Sequence, residues 1–126
     1  MIFKQNMIVV ITNGRLAGKK AVVLGEVDEH TIVVAGVNRI PAKSEDYMPA
    51  WQQRKNAKFL TFIKKINMNH VLATRYKADI GLSKVSLKDA VESIESRQAA
   101  NGEANKIMKN AFEESKSKWL FTTLKF

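Results

Sequence analysis

Three short apolar runs dominate the first forty residues, and each is closed by turn chemistry. Residues 7–12 (MIVVIT) are β-branched and apolar and end at Asn13-Gly14. After Gly18-Lys19-Lys20 comes a second run, residues 21–24 (AVVL), followed by a polar connection over residues 25–30 (GEVDEH). Residues 31–37 (TIVVAGV) form a third run, which Pro41 stops. Short β-branched runs separated by Gly-bearing turns predict strands, and their close spacing favours a small barrel over a βαβ unit.

The middle of the chain is less regular. Residues 42–58 hold Pro49, Trp51 and several cations without a sustained period, which predicts an irregular basic arm. Residues 59–66 (FLTFIKKI) alternate as a further strand, with Phe59, Thr61 and Ile63 on one face and Leu60, Phe62 and Lys64 on the other. Residues 67–76 read as a polar, Asn-rich loop leading to Arg75 and Tyr76.

Helical spacing takes over later. Ser86 with Asp89 three residues on predicts an N-cap and a short helix whose stripe is Leu87, Ala90, Val91 and Ile94. Asn101-Gly102 is expected to interrupt it. A second helix is predicted over residues 103–115, with Ala104, Ile107, Met108, Ala111 and Phe112 on one face. Both stripes predict core packing. The closing Trp119-Leu120-Phe121 and Leu124-Lys125-Phe126 are too apolar to hang in water and are expected to dock on their own domain or on a neighbour.

Charge changes the picture from a generic small barrel to one with a polyanionic partner. The 126-residue chain carries 21 Lys+Arg against 12 Asp+Glu, a formal net charge of +9, with a pI near 9.9. Residues 1–77 hold thirteen of the cations and five of the acids, so the excess lies with the strands. Residues 78–126 form a nearly neutral helical region. There is no cysteine, which excludes disulfides and thiolate metal sites. No apolar run approaches membrane-spanning length and the N-terminus lacks a signal-peptide pattern, so a cytosolic or nuclear protein without a membrane partner is expected.

Catalytic and cofactor chemistry finds no constellation. Residues 14–20 (GRLAGKK) have three residues between the glycines where a phosphate-binding P-loop needs four. Lys20 stands where that motif needs a Mg²⁺-binding hydroxyl, and a strand follows where it needs a helix N-terminus. His30 and His70 are forty residues apart with no clustered carboxylates, and the acidic pairs are sequence neighbours that point different ways. No enzyme activity, cofactor, metal or small-molecule substrate is therefore expected.

What remains is a set of cations on turns between strands. Arg15, Lys19 and Lys20 share one turn, where glycine permits close approach to a phosphate. Arg39 and Lys43 flank the end of the third strand. Arg54, Lys55, Lys58, Lys64 and Lys65 follow, with Trp51 available to stack on an unpaired base.

These residues carry a family resemblance. Residues 14–23 (GRLAGKKAVV), with the strand before them, resemble the KOW motif of SH3-like barrels. Three further blocks resemble the eukaryotic large-subunit ribosomal protein L27e family: residues 34–41 (VAGVNRIP), residues 67–76 (NMNHVLATRY), and the closing Phe112-Glu113-Glu114, Lys118-Trp119-Leu120-Phe121 and Leu124-Lys125-Phe126. The blocks keep the family's order across nearly the whole chain. Ala73 departs from the family's usual proline and Ile40 from its usual tyrosine.

The resemblance implies a mainly β fold with α: a KOW-type SH3-like barrel over residues 1–80 and a helical C-terminal extension over residues 81–126. It implies a non-enzymatic structural role in the large subunit of the cytoplasmic ribosome, with assembly beginning in the nucleus. The implied partners are large-subunit rRNA and neighbouring ribosomal proteins. It also adds Asn69, His70, Thr74, Arg75 and Tyr76 to the expected RNA contacts. The barrel turn alone leaves an alternative open, a KOW-type RNA-binding or transcription-elongation module. A Tudor-like peptide binder would need an aromatic cage that these strands lack.

Overall fold

The computed structural model describes residues 3–41, 45–78, 80–82, 93–116 and 118–122. Its elements are β1 (Met7–Ile11), β2 (Lys20–Asp28), β3 (Thr31–Arg39), α1 (Ala50–Asn56), β4 (Leu60–Asn67), a 3₁₀ turn (Met68–His70), β5 (Val71–Lys77), α2 (Ile94–Glu113) and a second 3₁₀ turn (Lys118–Phe121). The strands form one antiparallel sheet in the order β4-β3-β2-β1-β5. The fold is mainly β with α and SH3-like.

The apolar runs of β1, β2 and β3 are continuous rather than alternating because both faces of the sheet are covered. Val9, Ile11, Ala21, Val23, Ile32, Val34 and Ile66 share one cluster with Leu16 from the first turn. The opposite-parity residues Ile8, Val22, Leu24, Val33, Ala35, Val37 and Ile63 form the other cluster. There they meet Ala100, Ala104, Met108 and Ala111 of α2 and Leu120 and Phe121 of the C-terminal turn. Phe59, Phe112 and Phe121 add a three-ring contact with centroids 5.5–6.0 Å apart. The expected docking of the Trp119–Phe121 tail on its own domain is thus observed.

Four expectations are corrected. The polar connection after residue 24 belongs to β2, which runs to Asp28 through register shifts at Val23/Gly25 and Glu26/Asp28. There the Asp28 carboxylate accepts the His30 backbone N–H at 3.0 Å and closes a tight hairpin. That hydrogen bond, then one from Thr31, holds its carboxyl below the usual carboxylate range.

Residues 42–58 are not wholly irregular, because residues 50–56 form α1 behind Pro49. The Gln53 amide gathers the preceding turn by donating to the Met48 carbonyl at 2.9 Å.

Residues 67–76 are not one loop: Val71–Lys77 is a strand paired with β1, with Ala73 opposite Val9. Local polarity hides it because its ladder is supplied by residues of β1, sixty or more positions earlier.

Asn101-Gly102 does not interrupt a helix. α2 runs unbroken for 20 residues from a capping box at Ser93 and Ser96, and Asn101 accepts the Thr61 hydroxyl at 3.0 Å. Packing on β4 outweighs the local cost of a mid-helix glycine, about 1 kcal/mol. The helix expected from Ser86 and the closing Leu124-Lys125-Phe126 lie outside the described residues, apart from Ile94, which opens α2.

Gly36 in β3 sits beneath the Phe62 ring, where an added Cβ would lie 2.2 Å from Cζ. Gly36→Ala should lower stability by about 1–3 kcal/mol through overpacking. In a Phe62→Ala background the same change should cost much less, read as non-additive shifts of the urea midpoint in a double-mutant cycle.

Candidate nucleic-acid interface

The first turn is built around a buried leucine. Gly14 and Gly18 adopt φ of +93° and +84°, the left-handed region that glycine enters without strain. Between them Leu16 dips into the inner cluster, and the turn is closed by Gly18 N–H to the Ile11 carbonyl at 2.7 Å. Arg15 is thereby left exposed and Lys19 half-buried on either side of the leucine.

Lys20 takes a different path, because it is the first residue of β2 and its side chain leaves on the face covered by the tail. It is only 5% exposed. Its ammonium donates to the carbonyls of Trp119 and Thr122, both at 2.9 Å, and to the Thr122 hydroxyl at 2.6 Å. The Trp119 ring centroid lies 4.0 Å from Nζ, and that ring also stacks on Tyr76 at 4.4 Å and 22°. Burial pulls the ammonium below the ordinary lysine range. In this structure the Lys20 ammonium, expected as a phosphate contact, is taken up by the C-terminal segment and anchors it. One residue's shift in strand register separates the two roles.

Lys19 converges instead with Arg39 at the end of β3. They share a cleft of about 420 Å³ whose lining also includes Lys20, Asn38, Ile40 and Leu120. Among the described residues no acidic side chain lines it. The turn and the third strand, thirteen or more residues apart in sequence, thus present their cations together.

The other expected residues are distributed. Arg54, Lys55 and Lys58 are exposed on and just after α1, beside a Trp51 that is 62% exposed. Lys64 and Lys65 are exposed on β4, but Lys65 lies close enough to Asp28 to help hold that carboxyl ionised. Asn69 and His70 are exposed at the 3₁₀ turn. The Thr74 hydroxyl donates to the Ile8 carbonyl, which makes Thr74 a tie between β5 and β1. Arg75 is exposed, its guanidinium 5.2 Å from the Tyr76 ring centroid and 3.4 Å from the Tyr76 hydroxyl, which keeps it firmly charged. Tyr76 has one contact surface committed to Trp119. Lys43 lies outside the described residues.

Sequence reasoning passed over Tyr47, an 83% exposed ring four residues before Trp51. The composition that singled out Trp51, an aromatic among polar residues, applies equally to it.

Among the described residues the one ion pair is Lys116–Glu114, at 2.9 Å on the helical extension. The barrel cations have no carboxylate within bonding distance there. No metal-binding cluster occurs among these residues, and no described helix is long and apolar enough to cross a membrane.

An SH3-like barrel with cations that pair with no carboxylate among the described residues, and a helical extension packed on one face, defines a basic structural scaffold. The chain belongs to the Ribosomal L27e protein family, whose profile matches residues 8–126. It is 38% identical to large ribosomal subunit protein eL27B of Schizosaccharomyces pombe, covering 99% of this chain and 98% of the relative. Identity to large ribosomal subunit protein eL27 is 32% for Pisum sativum, covering 98% of this chain and 96% of that one. For the Caenorhabditis elegans protein of the same name it is 30%, over 99% and 98%. The family is one of structural ribosomal proteins.

Lys20→Met should release the C-terminal segment at a cost of about 1–3 kcal/mol, since several charge-assisted hydrogen bonds and the ring contact go together. In a Trp51→Phe background, the remaining Trp119 emission should shift to the red as the ring becomes wet. An unchanged spectrum and midpoint would show that the tail docks without the ammonium.

Proposed function

We propose that the chain is a constituent of the large subunit of the cytoplasmic ribosome, where it binds and stabilises folded rRNA. The observation that carries this reading is the set of barrel cations without a carboxylate in reach, within a chain of the L27e family. Cations held apart from acids retain their full charge for a polyanion, and neutralising phosphates releases counterions. The names of the relatives place those proteins in the large subunit, which supports the same setting here.

The contact surface is Lys19 and Arg39 at the cleft, Arg15 on the same turn as Lys19, Lys64 on β4, Asn69 and His70 at the 3₁₀ turn between β4 and β5, and Arg75 on β5. The α1 cations with Trp51 form a second approach, and neighbouring ribosomal proteins complete the surroundings. Lys43 stays in the proposed set on its sequence position. Lys65 contributes less, because Asp28 shares its field. Assembly in the nucleolus before export follows from a place in that subunit.

The protein should co-sediment with large ribosomal subunits at low salt and leave them only at high salt. Recovery in the soluble fraction at low salt would contradict the proposal. Lys19→Glu with Arg39→Glu should weaken association at least about tenfold and lower the salt slope by about one unit per cation, with the urea midpoint kept. Arg75→Ala should weaken it more than Arg97→Ala, because Arg97 lies on the mixed-charge helix α2. Equal effects would erase the distinction between barrel and helix charges.

A further inference from the structure

The cleft between the first turn and the end of β3 has more volume and more apolar wall than a phosphate contact requires. Its floor is Val37 and Leu120, both buried, with Ile40 and Ala17 at the sides. Lys19 and Arg39 stand on its margin with Asn38 between them in the lining, all three half-buried. None of these three side chains has a hydrogen-bond partner among the described residues. Their polar atoms stay open to water, so a ligand's own polar atoms can replace that water without breaking a protein hydrogen bond. Its size, about 420 Å³, falls among small-molecule clefts, typically ~300–1,000 Å³.

Resting on the rRNA-binding reading, we propose that this cleft receives a single nucleotide extruded from the RNA, base first. The chemistry matches part by part. Aliphatic walls take the flat faces of a base, and the Asn38 amide offers both a donor and an acceptor to its hydrogen-bonding edge. Lys19 and Arg39 at the margin take the flanking phosphates. Lys20 beneath is held by the Trp119 and Thr122 oxygens, so it shapes the wall through the tail instead of binding the ligand. A regular helix could present only its phosphate rim here. A bulged or looped nucleotide fills the volume.

The probe is a short RNA hairpin with one bulged 2-aminopurine, compared with the same hairpin fully paired, both titrated with the full chain. The bulged form should bind about tenfold tighter, the order expected when the apolar surface of one base leaves water. Its fluorescence should rise, because the base leaves its stacked neighbours and no aromatic ring lines the cleft among the described residues. Asn38→Ala, which removes the amide without adding charge, should abolish most of that preference while sparing the urea midpoint and the binding of the paired hairpin. Equal affinity for the two hairpins, or quenching on binding as the base stacks on an exposed ring such as Trp51, would overturn the cleft proposal and leave the RNA-binding reading standing. Failure of both hairpins to bind at low salt would overturn the two together.

Discussion

The constraint on which the structure depends is that its three central strands are apolar on both faces. A single curled sheet can bury one of those faces in its own interior, and it does so around Leu16 and Ile66. The other face needs a separate cover, which α2 and the Trp119–Phe121 turn provide. The helical extension is in this sense part of the barrel's core. Ala100, Ala104 and Ala111 keep the helix close to the sheet, and the Asn105 amide donates to the Phe59 carbonyl beside β4.

Lys20 joins this packing constraint to the binding surface. Its ammonium anchors the same C-terminal segment whose Leu120 and Thr122 wall the cleft beside Lys19 and Arg39. Both adjacent lysines line the cleft, but Lys20 is tied to the C-terminal segment while Lys19 carries no such bond among the described residues. A charge count treats them alike, yet strand alternation sends their side chains to different surroundings. Among the described residues, the cations left on turns form no ion pair with an acid.

Much of this is legible in the residues themselves. The runs over residues 7–11 and 31–37, the glycine-framed turn at residues 14–18 and the alternation of residues 59–66 each follow local rules that the fold keeps. So does the docking of Trp119 and Phe121, which water would penalise. The departures share a cause: structure made by distant partners. β5 exists because β1 offers it a ladder, α2 passes Gly102 because Asn101 and its neighbours pack on β4, and α1 is gathered by a Gln53 amide that no periodicity announces. Lys20 and Thr74 are the same case within the candidate site. Their type suited an RNA contact, and only the tail's position and the β5–β1 pairing show that their polar atoms are already engaged. Conversely, the meeting of Lys19 with Arg39 could not be read from spacing.

If the outer face of the sheet depends on the extension, barrel and helix must open together. Native-state hydrogen exchange on the intact chain tests this directly. The slowest amides of β2 and β3, such as Val22 and Val33, should share one opening free energy with those of Ala104 and Met108 in α2, within about 1 kcal/mol. Exchange of the α2 amides through an opening several kcal/mol easier than that of the strands, with the strands still protected, would contradict it.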